Sequence, residues 1–525
     1  MQIARIGDGS NQRYSAEVVG GKAANLAHMA ALGLPVPPAF VLPVELCAAI
    51  VSGERNAMQI LTEALAEGIG FLQNATGKRF GDRRRPLLVS VRSGAARSMP
   101  GMLDSVLNVG CTSAAVQGLM RMSGNPRFAW DCRRRFLESY GVVVLGLDPA
   151  LFQRRLDALV ASEGVEGEPA LDGEAIERLA ANHREMIEKE DCALADDSME
   201  QLRAAAQAVF RSWNSERARA YRELQHLEHL RGTAVTIQAM VFGNRGLSSG
   251  AGVAFSRDPS TGEPAPVIDV LFESQGEDVV SGSRNPATEE VLARYVPAAP
   301  AQLRKTLTRL EQELGDVQDV EFTIEDGKLW ILQTRSAKRT PQAALRFAID
   351  FVKEGRITPS EGLRRLRGLD LNTLASKRLV GVGEPAARGT GASAGVAVGR
   401  ATFDSQDAQR LASAGPVILV RPDLSTSDVA GFSISEGIVT AVGARTAHAA
   451  LVARQMGKAC IVGCAGLTID LGSRRAQLAG AAIIEGDWLS IDGGAGTIYL
   501  GRGTIAVDRP EAELAEIARW RSEVT

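Results

Sequence analysis

Five histidines occur in this chain, and one of them, His448, lies where a side chain can carry a phosphoryl group. The apolar run Gly437–Gly443 predicts a buried strand, and residues 444–448 (Ala-Arg-Thr-Ala-His) a short loop of small residues. Residues 449–456 then predict a helix that ends at Gly457. The start of a helix offers unpaired N–H groups and the positive end of its dipole, a favourable place for an anion. A neutral imidazole can attack phosphorus and later release the group, which makes His a natural covalent carrier. Taken alone, the loop fits a helix-capping turn with an incidental His equally well.

Four other segments supply groups that a magnesium nucleotide needs. Gly20-Gly21-Lys22 precedes the helical pattern Ala23–Ala30, so backbone N–H groups and one cation can approach a phosphate, although such turns are common. In Val89–Met102, Arg92 and Arg97 stand among glycine, serine and alanine, where little except an incoming anion competes for their hydrogen bonds. A plain turn beside a buried strand is the rival reading. Gln238–Phe242, with Met240 at its centre, suits an adenine edge or an ordinary core. Asp319–Arg335 predicts a hairpin turning at Glu325–Lys328, with Asp319, Glu321 and Thr323 on one face and Gln333 and Arg335 on the returning strand. Glu321 and Gln333 then form a hard-oxygen pair suited to Mg²⁺, which takes one or two protein oxygens beside phosphates and water. A salt-bridge ladder is the plainer alternative.

These groups must be positioned by more than one domain, because 525 residues exceed a single core. The first hundred residues alternate apolar segments with glycine turns, as an α/β unit does. From Thr112 to His229 the pattern is long amphipathic helices. Strands return at Thr233 and continue to Thr334. Thr340–Leu374 predicts one or two helices starting near Pro341 and Pro359. A second α/β unit from Gly389 to about Leu500 encloses His448, and a terminal helix spans Ala512–Arg521. Its Leu514, Ile517, Ala518 and Trp520 suit docking on this chain or on a partner.

Apolar residues at 45% and charged residues at 23% are those of an ordinary globular protein. A net charge of −3 gives no reason to expect nucleic acid or a membrane surface as partner. The runs Arg83–Arg85 and Arg133–Arg135 predict solvated faces. No apolar run is long enough to span a bilayer, and the first residues lack the layout of a secretory signal. Six scattered cysteines predict reduced thiols in a cytoplasmic protein, and Cys460 and Cys464 lack the companions that zinc requires.

The segments Gly20–Met29, Leu32–Pro38, Ser90–Gly94, Met99–Met102, Met240–Asn244, Gly252–Glu263, Gln275–Val280, Leu332–Arg335, Thr446–Arg454 and Ile491–Gly493, in this order, carry a resemblance over almost the whole chain. They resemble the pyruvate phosphate dikinase family and the wider group of phosphoenolpyruvate-linked enzymes. The fold class this implies is α/β and α+β multidomain: an ATP-grasp nucleotide-binding domain followed by a swivelling phosphohistidine β/α domain. The implied boundaries are residues 1–339 for the ATP-grasp domain, with a largely helical insertion at 112–229. A helical linker at 340–385, the phosphohistidine domain at 386–502 and a C-terminal helix at 503–525 complete them.

Carried onto matching positions, the resemblance implies that Lys22, Arg92, Met240, Glu277, Glu321, Gln333 and Arg335 bind nucleotide. Glu321 and Gln333 would hold Mg²⁺ and His448 would carry the phosphoryl group from ATP, with orthophosphate also consumed. In the family a carboxy-terminal barrel then converts pyruvate to phosphoenolpyruvate. This sequence stops where that barrel would begin, so the acceptor is expected on another polypeptide, such as a separate barrel-type protein, or on a small molecule bound elsewhere. The family loop usually reads Gly-Gly-x-Thr-Ser-His, whereas residues 443–448 read Gly-Ala-Arg-Thr-Ala-His. Ala444 is expected to remove backbone freedom, and Ala447 a phosphate-binding hydroxyl. Thr446 matches the family's regulatory threonine, and capping the following helix is its plainer role.

Two classes of function follow. One is an ATP-dependent phosphotransferase that charges His448. The other is a non-catalytic ATP-binding paralogue that regulates a full-length relative, which the altered loop favours. Phosphate-binding arginines are costly to keep without an anion, and this favours the enzyme.

Overall fold

The computed structural model describes residues 3–10, 12–97, 99, 102–190, 192, 194–281, 284–371, 375–423, 429–445 and 448–524. Contacts divide the chain into two compact units, residues 1–246 with 330–333, and residues 247–329 with 334–525.

The first unit is built on a five-stranded antiparallel sheet in the order Ala4–Ile6, Ala39–Leu42, Ala234–Ala239, Val89–Gly94, Ser105–Val109. Strand alternation sorts its two faces. Phe40, Leu42, Val89, Val91, Val235 and Ile237 join a large core with the helices Ala57–Thr76 and Ser198–Arg211. On the opposite face, Ser90 stands across from Gln238 and Arg92 across from Thr236.

Helices fill residues 113–224, and the helix Pro126–Val143 starts with Asn125 capping the Phe128 N–H and Pro126 in its first turn. Here the structure corrects one expectation. Arg83–Arg85 are exposed, but Arg133, Arg134 and Arg135 are buried. Arg134 and Arg135 share the carboxylate of Asp131 at 2.6 and 3.0 Å, and Asn244 donates to the same group at 2.7 Å. Arg133 donates to the carbonyl of Cys111. The buried acid Asp131, the carboxylate of Glu138 and the carbonyl of Cys111 thus absorb a charge run that composition alone assigns to solvent.

The second unit contains a sheet in the order Lys328–Ser336, Gln318–Glu325, Gly250–Phe255, Val267–Phe272. The hairpin turns at Asp326 and Gly327, both at positive φ (48° and 78°), the geometry of a tight primed turn. The helix Pro341–Lys353 is anchored to this sheet by Arg257, which is buried between Glu311 (2.9 Å) and Glu354 (2.8 Å).

The region enclosing His448 is an eight-stranded sheet. Its parallel centre runs Val396–Thr402, Val417–Arg421, Gly437–Thr440 and Ala459–Val462, flanked by antiparallel strands. Both faces of the centre are buried: Ile418, Val420 and Val439 feed one core, and Leu419, Ile438 and Val462 feed the other. That accounts for the continuous apolar runs in the sequence. The strand Gly437–Thr440 is shorter than expected, because residues 441–443 already bend away.

The connections to this region differ from a purely helical linker. Helices Pro341–Lys353 and Pro359–Arg365 form as expected, each with proline at its start. Ser376–Val380, however, is a strand, paired antiparallel with Thr504–Asp508. Pairing satisfies the backbone groups of both segments. The terminal helix Glu511–Val524 docks on this chain: Ile517 and Trp520 are buried against Leu345, Ala348, Ile349 and Leu366.

Candidate active site

In the first unit, Gly20 interrupts the helix Ala16–Ala31 with φ +80°, and this kink places Lys22. A side chain at Gly20 would fall 1.9 Å from the carbonyl oxygen of Gly94, so only glycine fits. Gly21 donates its N–H to the carbonyl of Ala95 at 2.9 Å. A side chain at Gly94 would in turn meet Cβ of Lys22 at 3.9 Å. The Gly-Gly-Lys turn is therefore fixed against the end of the strand that carries Arg92. Expected as a loop before a helix, it is a break within one. Lys22 and Arg92 are both half-buried, and Thr236 Oγ, in register with Arg92, is buried without a hydrogen-bond partner. A cationic face with an unsatisfied hydroxyl suits an anion.

Met240 is half-buried against the large core, and Phe242 is buried edge-on to Phe128 with centroids 5.1 Å apart. The apolar residues of this segment are thus largely structural, leaving Met240 as the one at the surface of the core. Gln333 counts with this unit, and its neighbour Ile331 donates its N–H to Pro35 O at 2.8 Å.

In the second unit, Arg335 donates to Asp319 Oδ2 at 2.8 Å. Burial weakens the charge on Arg335, but Asp319 and Glu321 more than offset it and hold its pKa above the usual value. Asp319 is 3% exposed, its other oxygen has no partner, and burial pushes its carboxyl upward despite Arg335. Glu321 is half-buried on the same strand face, two residues on. An orphaned buried carboxylate oxygen beside a second acid is a hard donor set that fits Mg²⁺. Among the described residues no group of three or more His, Cys, Asp or Glu gathers, so such an ion would rely on phosphate oxygens and water as well. Glu277 is exposed in the first turn of the short helix Gly276–Ser281.

His448 opens the helix His448–Gln455 at the C-terminal side of the parallel strands, the edge where open α/β sheets bind ligands. Thr446 and Ala447 lie outside the described residues. Ala450 and Ala453 pack the helix onto Leu419, Ile438 and Phe432. Ala444 is buried and absent from the positive-φ positions, while Gly443 takes φ +144°. Ala444 therefore carries no left-handed strain.

Three residues that sequence reasoning gave no role hold this loop. Asp269 Oδ2 accepts the N–H of Arg445 at 3.2 Å, and Asn285 Oδ1 accepts that of Gly443 at 3.2 Å. Arg454, only 1% exposed, donates to the carbonyls of Ala392 (2.7 Å) and Arg445 (2.9 Å) and to Ser260 Oγ (3.2 Å). Burial lowers the pKa of Arg454, and the nearby charges of Asp258, Asp319 and Asp269 oppose that effect. Asp269 itself is buried, and burial raises its carboxyl above the usual range although Arg445 opposes this. Arg454 was legible as the end of the motif Thr446–Arg454, but its burial was not. Asp269 and Asn285 are distant in sequence and gave no local signal. The structure thus brings the loop before His448 onto the sheet in which the strands on either side of Gly250–Phe255 carry Asp269 and, across from it, Asp319 and Glu321.

Comparison with known proteins fits this arrangement. A family model described as the AMP/ATP-binding domain of pyruvate phosphate dikinase matches residues 57–297 and 296–355. One described as the mobile domain of phosphoenolpyruvate-utilising enzymes matches residues 414–496. A pyruvate, phosphate dikinase of Clostridium symbiosum is 41% identical over 92% of this chain and 56% of its own length. A chloroplastic enzyme of that name from Arabidopsis thaliana is 39% identical over 97% and 53% respectively, and one from Zea mays 37% over 100% and 60%. The chain thus spans somewhat over half the length of these curated relatives.

Proposed function

We propose that this chain, which belongs to the pyruvate phosphate dikinase family, is an ATP-dependent phosphotransferase that charges His448 and hands the phosphoryl group to an acceptor bound elsewhere. An imidazole nitrogen attacks the β-phosphorus of ATP, an N–P bond forms, the α–β anhydride bond breaks, and AMP leaves as an anion. Lys22, Arg92 and Arg335 are the proposed counter-charges for the nucleotide phosphates, with Met240 at the adenine and Glu277 near the phosphates. Glu321 and Gln333 are the proposed Mg²⁺ ligands, with Asp319 added by its orphaned oxygen. When bound, the ion neutralises phosphate charge as the anhydride breaks. Orthophosphate is the proposed co-substrate: its oxygen attacks the γ-phosphorus, the β–γ anhydride bond breaks, and pyrophosphate departs to leave a single phosphoryl group on His448.

The observation that carries this reading is the seating of the loop before His448 by Asp269, Asn285 and Arg454, on the sheet bearing Asp319 and Glu321. A non-catalytic sensor has no need to hold a carrier loop beside acidic groups whose burial is unfavourable. Discharge of labelled protein, with and without pyruvate and with and without a barrel-type partner, tests the acceptor. The reading requires discharge only when both are added. Pyruvate-dependent turnover by this chain alone would refute a separate acceptor site, and no discharge under any condition would favour the regulatory paralogue.

A further inference from the structure

A cavity of about 730 Å³ lies beneath the two linker helices in the second unit, and none of the residues assigned above to nucleotide, metal or carrier lines it. Its volume falls within the range of small-molecule sites. Its accessible apolar surface comes from Pro341, Ala344 and Leu369, backed by the buried Ala337, Phe347, Ala348 and Phe351. The walls carry Lys338, Arg339, Arg364, Arg365 and Arg367 against a single lining acid, Asp316.

The ion pairs leave cations over. Arg339 spends its fork on Asp316 at 2.7 and 2.9 Å, and Arg364 and Arg365 share Glu361. Lys338 and Arg367, both exposed, have no ion-pair partner among the described residues. Partial burial of its stem, and secondarily the nearby Arg335, lower the pKa of Lys338. The first turn of the thirteen-residue helix Pro341–Lys353 also lines the cavity through Thr340, Pro341 and Ala344, so its dipole adds to the same sign.

We propose that this cavity binds a small phosphomonoester with an apolar body, its phosphate between Lys338 and Arg367 and its carbon portion against Pro341, Ala344 and Leu369. A dianion matches the two cations left unpaired, and the planar guanidinium of Arg367 can hold two phosphate oxygens at once. That apolar surface selects against free phosphate, which has nothing to place there. Lys338 leaves the hairpin and Arg367 follows the second linker helix, so one ligand would fasten the linker that carries the His448 region.

Phenyl phosphate is the direct probe, titrated calorimetrically into the intact chain with a non-hydrolysable ATP analogue and Mg²⁺ present to fill the proposed nucleotide site. The expected result is saturable one-to-one binding, at least tenfold weaker for orthophosphate and for benzyl alcohol. Lys338→Ala/Arg367→Ala, both exposed positions that leave the core untouched, should weaken phenyl phosphate at least tenfold with unchanged thermal stability. Absence of saturable binding, equal affinity in the double variant, or equal affinity for orthophosphate would overturn the proposal. Loss of phenyl phosphate binding on adding the ATP analogue would place the ligand in the nucleotide site and overturn it too.

Discussion

The carboxylate of Asp269 accepts the backbone N–H of Arg445 at 3.2 Å, three residues before His448. The bond joins a strand of the sheet that bears Glu321 to the loop that leads into the carrier helix. Since it needs only an acceptor, the neutral Asp269→Asn can keep it, and burial already favours the uncharged form of this acid. Asp269→Asn should therefore leave thermal stability near wild type, and labelling of His448 by ATP should persist. Asp269→Leu removes the acceptor and should slow labelling about tenfold or more, as a loosened reacting group does. Rapid-quench labelling of the three proteins checks this, and equal rates in all three would remove Asp269 from the account.

Arg454 fastens the same loop from the other side. Arg454→Ala leaves the carbonyls of Ala392 and Arg445 without a buried donor. The cost should be about 2–4 kcal/mol of stability, read by urea unfolding. A change below about 0.5 kcal/mol would show that water or neighbouring groups replace the guanidinium.

Much of this architecture was legible in the sequence. Proline-initiated linker helices, the hairpin at Asp326-Gly327 and the helix ending at Gly457 followed from local turn and cap chemistry, which acts over a few residues. What escaped was long-range. The burial of Arg133–Arg135 depends on Asp131 and Asn244, the last more than a hundred residues away. The pairing of Ser376–Val380 with Thr504–Asp508 spans the whole His448 region, and no local pattern names a strand's partner. Asp319 was seen as one of an alternating series, but its orphaned oxygen is a property of packing.

Gly20 should tolerate no side chain. Gly20→Ala combines φ +80° with a 1.9 Å approach to Gly94 O, so the kink must open. A loss of about 2–4 kcal/mol is expected, with a weakened response to Mg-ATP because Lys22 moves with the kink. Wild-type stability with a full ligand response would separate this turn from nucleotide binding.

Nucleotide binding itself should appear as stabilisation. Mg-ATP at about one hundred times its dissociation constant should add roughly 2.7 kcal/mol, and Arg92→Ala should abolish that gain. A thermal-shift series in which both proteins respond equally would rule out Arg92.

His183 gives the chain a defined acid sensitivity. It is fully buried near Phe152, Glu138, Arg134 and Arg155, and burial lowers its pKa to about 3. The unfolded chain takes up a proton near its usual 6.5, so this term is neutral above that pH and destabilises progressively as pH falls toward 3. At pH 5 it should cost about 2 kcal/mol. Urea unfolding at pH 7 and pH 5 should show a smaller acid loss in His183→Gln than in wild type. Parallel losses would mean that other groups set the acid limb.

The most direct test of the phosphotransferase reading is incubation with Mg-ATP labelled in the β-phosphate, followed by acid and alkali treatment of the protein. Wild type should acquire label that is acid-labile and alkali-stable, and His448→Ala should acquire none while still binding Mg-ATP. Label that persists in His448→Ala, or that proves acid-stable, would contradict His448 as the carrier.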